Sequence, residues 1–448
     1  MAEHRKNSTP PKTARVQVKM LTAAKREALY EPAREIYAEY GVDTDAALHA
    51  LKSVSLSLHC WQGDDVGGFE RPDAALSGGG LQVTGRHPGK ARSVAELRAD
   101  LAEAFSLIPG SHRVNLHAIY GEFGGKLVDR DEIGPEHFRG WVEWARASGL
   151  KLDFNPTCFS HPLAESGFTL SHPDRAVRRF WIDHVKACRK ISAGLGRELK
   201  SPCLHNLWIP DGSKEVPVDR GAARVFLRES LDEIFAVDYS PVYMKDSLES
   251  KLFGIGSESF VVGSHEFYLG YALARGKLLC LDLGHFHPTE SVADKISAIL
   301  LFAPSLVFHL SRGVRWDSDH VVILNDEVRA VTEAIVRAKA LDRVQLALDY
   351  FDASINRVGA WVIGARAALQ GVLFALLLPE AALREAEGKG DGFRLLALRE
   401  EAGTLPFGAI WDRFCLEADV PTGGQWLDEI ARYERDVLAA RDPTVSRS

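Results

Sequence analysis

The sequence predicts an α/β fold, a (β/α)8 TIM barrel with an N-terminal helix and a helical C-terminal extension. Eight short apolar runs alternate with amphipathic helical patterns, as in parallel strands joined by right-handed helical crossovers. Polar side chains suited to metal binding follow the last four runs. In such a barrel the carboxyl ends of the strands meet at one mouth. An open doubly wound sheet is the alternative, and eight consecutive units favour the barrel.

The elements follow one another regularly along the chain. A charged amphipathic helix is predicted over residues 25–41, ahead of the first strand. The eight strand candidates are residues 54–60, 113–120, 150–156, 203–210, 242–249, 278–284, 305–311 and 344–350. The helical patterns between them are residues 94–105, 136–148, 174–192, 222–236, 267–276, 294–303 and 328–341. The last hundred or so residues are predicted to be almost entirely helical.

The domain prediction divides the 448 residues into three parts. Residues 1–22 are polar and basic, and a disordered extension is expected there because an apolar signal core is missing. Residues 23–360 are expected to form the barrel. Residues 361–448 are expected to form helices that pack on the barrel or on neighbouring subunits, since a barrel needs only one of them.

Composition is that of an ordinary globular enzyme, with 46% hydrophobic and 26% charged residues. A formal net charge of -7 gives no reason to expect nucleic acid or an anionic membrane as a partner. No run approaches the roughly 18 uncharged apolar residues of a membrane span. The six cysteines are scattered, so we expect reduced, buried thiols in a cytoplasmic protein.

Seven potential metal ligands lie at or near the ends of the last four strand candidates. Five carboxylates in one pocket repel each other strongly, and two divalent cations would cancel most of that charge. Oxygen ligands with a few imidazoles suit Mn, Mg or Co better than a thiolate zinc site, and no cysteine is expected to be a ligand. The candidates are Glu249, Asp282, His285, His309, Asp317, Asp319 and Asp349.

Each of these ligands has an ordinary structural alternative when it is taken alone. A strand-end aspartate can cap the following helix. His309 can be a satisfied core histidine, and the Asp317-x-Asp319 pair can lie on a solvated surface. Agreement between four consecutive strand ends favours the metal interpretation.

Four further side chains are candidates for the same mouth. Lys251 lies two residues after Glu249 and can either stabilise a negative oxygen or balance charge in an ion pair. His117 ends the second strand and can move a hydroxyl proton near neutral pH. Trp61 and Trp208 can each wall off a substrate face or belong to the core.

Eight strings in order resemble the L-rhamnose isomerase family, and the likeness runs from about Leu51 to the C-terminal helices. The resemblance implies a xylose-isomerase-like barrel, a homotetramer, and a requirement for manganese, with Co, Mg or Zn as possible substitutes. The strings are HCWQGDDVGGFE, NLHAIYGE, FNPTCFSHPL, NLWIPDG, ESKLFGIG, LDLGHFHPTE, VRWDSDHV and LDYFDASINR.

The resemblance also implies roles for the candidate residues. A catalytic ion would be held by His285, Asp317 and Asp319, and a second, structural ion by Glu249, Asp282, His309 and Asp349. Lys251, His117 and Asp349 are the catalytic candidates. Trp61, Trp208 and Phe69 are the substrate-binding candidates, and Phe69 could reach the site of a neighbouring subunit.

The implied activity is interconversion of L-rhamnose and L-rhamnulose, the first step of rhamnose breakdown. A metal-assisted hydride shift between C1 and C2 is the favoured mechanism, and an enediol route through a carboxylate base is its alternative. The rival functions are a related metal-dependent isomerase or epimerase acting on another aldose, a phosphoester hydrolase, and a non-catalytic sugar- or metal-binding protein.

Overall fold

Eight parallel strands close into a barrel, so the predicted fold class is confirmed. The computed structural model describes residues 20–70, 83, 85–252, 259–314 and 320–441. Each barrel strand pairs with the next along the chain, and the eighth pairs with the first. The strands are β1 Leu56–His59, β2 Arg113–His117, β3 Lys151–Asn155, β4 Cys203–Trp208, β5 Met244–Glu249, β6 Leu278–Asp282, β7 Leu306–Leu310 and β8 Val344–Leu348.

Helices surround the barrel, and polar caps fix where most of them begin. Ser93, Asp174, Asp219, Ser264 and Asn325 each accept a hydrogen bond from a backbone N–H in the first turn of the helix that follows. These helices are α4 Val94–Phe105, α5 Arg139–Ala147, α6 Arg175–Leu199, α7 Arg220–Ile234, α8 His265–Arg275, α9 Ala293–Ile299 and α10 Asp326–Arg337.

The prediction of one N-terminal helix over 25–41 is wrong in detail. The segment forms two helices, α1 Ala23–Glu27 and α2 Tyr30–Glu39, and α3 Thr44–Lys52 then leads into β1. Pro32 explains the break, because its ring would clash with the carbonyl of residue 28 in a continuous helix.

The C-terminal part of the chain is helical, as predicted. Helix α11, Arg357–Leu376, is buried along most of its length, and Trp361 donates a hydrogen bond to the carbonyl of His59 at 2.8 Å. On its outer side the guanidinium of Arg366 lies 5.2 and 5.9 Å from the ring centroids of Trp411 and Trp426. The remaining helices are α12 Glu380–Gly388, α13 Gly392–Ala402, α14 Phe407–Glu417 and α15 Gln425–Tyr433, followed by a π-helical turn Glu434–Leu438 and α16 Ala439–Arg441.

Helix α11 is also the one described helix that is long and apolar enough to cross a membrane, judged by length and composition alone. However, 83% of the most apolar 18-residue stretch of this helix is buried inside the protein. Burial of this extent is typical of a helix in the core of a large globular protein.

A buried histidine on α6 gives the fold a defined response to acid. Thr157 N donates to His184 Nε2 at 3.0 Å, and His184 Nδ1 lies 2.8 Å from the carbonyl oxygen of Arg130. This arrangement requires a neutral ring, with the proton on Nδ1. Burial lowers the pKa of His184 from 6.5 to about 3.

We therefore expect the protein to lose stability as the pH falls below 6.5, because the unfolded chain takes up a proton at His184 that the folded chain does not. Between pH 7 and pH 5 this one residue should reduce the free energy of unfolding by about 2 kcal/mol. Denaturant unfolding at both pH values checks this, with His184→Gln as the variant that should lose less stability on acidification. An equal loss in the variant would contradict the assignment.

Candidate active site and metal centre

Four potential metal ligands converge at the carboxyl ends of β5 to β8. Glu249 and Asp282 are the last residues of β5 and β6, His309 lies in β7, and Asp349 directly follows β8. Their ligand atoms all lie within 4.8 Å of one another. The register places Asp282 opposite His309 on neighbouring strands. Consecutive strands therefore deliver one ligand each to a common point, as the spacing predicts.

His309 is the centre of this group. Its Nδ1 lies 3.4 Å from Glu249 Oε1, 3.5 Å from Asp282 Oδ2 and 3.3 Å from Asp349 Oδ2. Burial opposes a charge on His309, yet its acidic neighbours still raise its pKa well above the ordinary value. The carboxylates thus favour positive charge at the position of this ring.

The buried atoms of the group fit a divalent cation. Glu249 Oε1, Asp282 Oδ2 and both ring nitrogens of His309 have no hydrogen-bond partner among the residues that the structure describes. Buried polar atoms without a partner are rare in folded proteins, and a bound ion can satisfy them. Oxygen ligands with one imidazole suit Mn, Mg or Co.

Hydrogen bonds orient the second oxygen of each carboxylate. Asp282 Oδ1 accepts from Gly284 N and Ser311 Oγ, both at 2.7 Å. Asn206 Nδ2 donates to Glu249 Oε2. Trp61 Nε1 donates to Asp349 Oδ1 at 3.0 Å. One oxygen of each carboxylate is held in this way, which fixes the direction of the other.

The predicted second ligand set is described only in part. His285 lies in the short turn after β6, with Nδ1 3.0 Å from Glu249 Oε1. Asp317 and Asp319 lie outside the described residues. The grouping of these three side chains stays a prediction.

The structure places one cysteine beside this group, and the expectation that no cysteine is a ligand stays a prediction. The thiol of Cys280 lies within 4.8 Å of ligand atoms of Glu249 and His309, because Cys280 precedes Asp282 by two residues and faces the barrel interior with it. Burial raises the pKa of this thiol far above its ordinary value, so the protonated form is favoured.

A cleft opens at the ligand group, and Glu249, His309 and Asp349 are among the residues that line it. Aromatic rings form much of its wall. The ring centroids of Trp61 and His117 are 4.8 Å apart, those of His117 and Phe159 are 5.6 Å apart, and those of Phe159 and Trp208 are 5.5 Å apart. Trp61 and Trp208 are thus both buried and part of the cleft lining.

Lys251 and His117 both line the cleft, as predicted. Lys251 Nζ lies 4.7 Å from the ring centroid of Trp208, and the residue is 5% exposed. His117 Nδ1 lies 3.1 Å from Thr157 Oγ1, and burial lowers the pKa of His117 to about 3. The imidazole is therefore neutral near pH 7, so one ring nitrogen can donate a hydrogen bond and the other can accept one from a hydroxyl group.

Phe69 is not among the residues that line this cleft. Its ring packs against Tyr120 with the centroids 5.7 Å apart, and it is only partly buried. Its predicted contact with a neighbouring subunit's site stays a prediction.

Sequence reasoning missed several residues of the site. Asn206 and Ser311 could have been found by strand alternation, since each lies two residues from a predicted site residue, Trp208 and His309. Phe159, Phe351 and Val66 line the cleft from loops. No periodic pattern marks loop residues of this kind.

Substitution of Trp61 by phenylalanine tests the orientation of Asp349. The variant keeps an aromatic ring beside His117 and loses only the hydrogen bond to the carboxylate. Because a hydrogen bond to a charged group is removed, we expect kcat/KM to fall about tenfold or more. Steady-state kinetics measures this, with Trp141→Phe as the control, since Trp141 is buried and donates to the carbonyl of Tyr120 away from the cleft. Equal values of kcat/KM in the two variants would contradict the role of Trp61 in orienting Asp349.

Comparison with known proteins identifies the family. The model of the family L-rhamnose isomerase (RhaA) matches residues 24–441. The chain belongs to the L-rhamnose isomerase family. The L-rhamnose isomerase of Rhodopirellula baltica is 57% identical over 422 residues, which cover 94% of this chain and 98% of that protein. The L-rhamnose isomerase of Salmonella paratyphi B is 55% identical over 415 residues, 93% of this chain and 99% of that protein.

Two solved structures are much more distantly similar to this member of the L-rhamnose isomerase family. A D-allulose 3-epimerase from Methylomonas sp. is 11% identical with a TM-score of 0.44 and covers 72% of this chain and 98% of its own. An L-ribulose 3-epimerase is 13% identical with a TM-score of 0.43 and covers 75% of this chain and 97% of its own.

Proposed function

We propose that this protein is an aldose–ketose isomerase that interconverts L-rhamnose and L-rhamnulose, the first step of rhamnose breakdown. The observation that carries the proposal is the buried group of Glu249, Asp282, His309 and Asp349 beneath an aromatic cleft, in a chain of the L-rhamnose isomerase family. The alternative, a related isomerase or epimerase acting on another aldose, is not favoured, because relatives 55% and 57% identical over most of the chain carry the L-rhamnose isomerase name.

The cofactor that we propose is manganese, with Co, Mg or Zn as substitutes. Glu249, Asp282, His309 and Asp349 would hold one ion, and His285, Asp317 and Asp319 would hold a second. A bound divalent cation supplies Lewis-acid polarisation of the sugar oxygens at C1 and C2. The oxygen-rich donor set and the unpartnered buried atoms around His309 support this proposal.

The residues of the chain have distinct roles in this proposal. The neutral imidazole of His117 assists opening of the pyranose ring by moving a hydroxyl proton. Asp349, whose side chain is 21% exposed at the edge of the cleft, accepts the proton of the O2 hydroxyl. Hydride then moves from C2 to C1, and the ammonium group of Lys251 stabilises the negative charge on the oxygen at C1. That oxygen takes the proton back from Asp349, which completes the ketose and restores the carboxylate. Trp61 and Trp208 exclude water from the sugar.

The hydride shift is preferred to an enediol route because of the way in which the carboxylates of the site are held. An enediol route needs a carboxylate that removes a proton from carbon. The carboxylates of Glu249 and Asp282 lie in the buried ligand group, with one oxygen of each held by hydrogen bonds. A carboxylate that is engaged in this way is a poor base toward carbon, whereas Asp349, which is engaged similarly, has only to accept the more acidic proton of a hydroxyl group.

Metal removal tests reaction class and cofactor together. Protein stripped with EDTA is expected to form no ketose from L-rhamnose, and added Mn²⁺ should restore turnover. Ketose formation is the readout, and circular dichroism before and after stripping confirms that the protein is still folded. Folded protein that is inactive with every divalent ion would contradict the proposal, as would full activity after stripping.

The assembly, location and domain division are further parts of the proposal. The family resemblance supports a homotetramer in the cytoplasm, with Phe69 reaching a neighbouring subunit. Residues 1–22 would form an extension, 23–360 the barrel and 361–448 the helical extension. Sedimentation of the purified protein gives the subunit number.

A further inference from the structure

The loop after β1 has an unusual backbone. Asp65 and Val66 have φ angles of 56° and 59°, in the left-handed region. A non-glycine residue is uncommon there, and a β-branched residue such as valine is a genuine outlier. Val66 is also buried, with 3% exposure, and its side chain lines the substrate cleft. The strained backbone therefore sets the position of part of the cleft wall.

Arg357, the first residue of α11, holds this loop. Its Nε and one terminal nitrogen donate to the two carboxylate oxygens of Asp65 at 2.7 and 2.9 Å. Its other terminal nitrogen donates to the carbonyl oxygen of His87 at 2.7 Å. Arg357 is only 4% exposed, so this bidentate ion pair is shielded from water.

A second connection joins the segment after β1 to the loop after β8. Gln62 Nε2 donates to the carbonyl oxygen of Asp352 at 2.9 Å, and Asp352 N donates to Gln62 Oε1 at 2.7 Å. The segments that carry Val66 and Phe351, two residues of the cleft lining, are thus joined at two points. Arg357 itself is not among the lining residues.

We propose that the Asp65–Arg357 ion pair is a positioning device that keeps Val66 in the left-handed conformation and so fixes the cleft wall for sugar binding. Strained backbone persists only where the surrounding structure determines it strongly. The bidentate ion pair holds residues 65 and 66 at these backbone angles. If Asp65 were released, both residues would relax to ordinary angles. Arg357 acts through Val66 and is a positioning residue. The kinetic part of this inference rests on the proposed function, and the conformational part does not.

The order of stability of two variants at position 66 tests the conformational part. Val66→Ala and Val66→Gly both remove most of the side chain, but only glycine tolerates the left-handed backbone without strain. We expect the glycine variant to unfold at higher denaturant than the alanine variant, the reverse of the usual order. In an Asp65→Asn background this difference should vanish or invert. Asparagine accepts the left-handed region, so this background removes the ion pair without a backbone penalty of its own.

Asp100→Asn is the matched background. Arg441 binds Asp100 through two nitrogens, both at 2.7 Å, and also donates to the carbonyl oxygen of Gly89. Asp100 and Arg441 are both buried, and neither lines the cleft. With Asp100→Asn, Val66→Gly should stay the more stable variant. The inference is overturned if the alanine variant is the more stable one in the wild-type background. It is also overturned if Asp65→Asn leaves the order unchanged.

Steady-state kinetics with L-rhamnose tests the kinetic part of the inference. Asp65→Asn should raise KM about tenfold, the ratio that corresponds to the strain of one left-handed residue, and should change kcat less than twofold. Asp100→Asn should lower stability with KM unchanged. An unchanged KM in Asp65→Asn would overturn the role in sugar binding. Absence of L-rhamnose turnover in the wild-type protein would refute the proposed function instead, and the stability comparison would still decide the conformational part.

Discussion

Replacement of His285 by asparagine is expected to abolish isomerisation while the protein stays folded. His285 lies at the cleft with Nδ1 3.0 Å from Glu249 Oε1, and it is a proposed ligand of the catalytic ion. Loss of a ligand should exceed the 10- to 100-fold effect of losing a partner that only orients one, so we expect kcat/KM to fall about 10³-fold or more. Ketose formation at saturating Mn²⁺ measures the activity, and bound manganese per subunit should fall by one.

The control for His285→Asn is a second histidine of the segment LDLGHFHPTE. His287 is exposed and lies two residues further along the chain, so His287→Asn makes the same chemical change outside the cleft. The control should keep its activity and its manganese content. Turnover within a few-fold of wild type in folded His285→Asn protein would refute the ligand assignment.

Substitution of Lys251 by methionine is expected to cause the second-largest loss. The methionine side chain keeps the packing against Trp208 and removes the ammonium group from the cleft. Because this removes the charge that we propose to stabilise the oxygen at C1, kcat should fall by about 10² to 10³. Manganese binding should not change, since Lys251 is not a ligand, and this separates the effect from that of His285→Asn.

Lys245 is the matched control for this substitution. It lies in β5 four residues before Glu249, toward the opposite end of the barrel. Lys245→Met should leave kcat within about twofold of wild type, since Lys245 is only partly buried and does not line the cleft. A Lys251→Met variant with normal kcat would instead favour the charge-balancing interpretation of this lysine.

The barrel strands could be predicted from sequence because each is a short apolar run between helical patterns. All eight fall within the predicted ranges, and the polar caps at Ser93 and Asp174 fit the predicted helix starts. The N-terminal helix could not be placed correctly by periodicity alone, because Pro32 interrupts a pattern that is otherwise continuous.

The ligand group could be predicted because strand ends converge in a barrel, so sequence position translates directly into spatial position. The position of Cys280 beside this group was missed because its residue type was considered without its strand register, which faces it inward beside Glu249 and His309. The place of Val66 in the cleft lining could not be predicted from the sequence. The direction of its side chain depends on a left-handed backbone conformation that valine rarely adopts.

Helix α11 has a consequence for protein engineering. It begins at Arg357 beside the cleft and passes Arg366, which lies against Trp411 and Trp426 of the C-terminal helices. Arg366 lies about halfway along this 20-residue helix, roughly 14 Å from Arg357, so we expect repacking around it to shift the beginning of the helix. Directed evolution for new sugar substrates should therefore recover beneficial mutations around Trp411 and Trp426, in a part of the chain that a library restricted to the cleft would never sample.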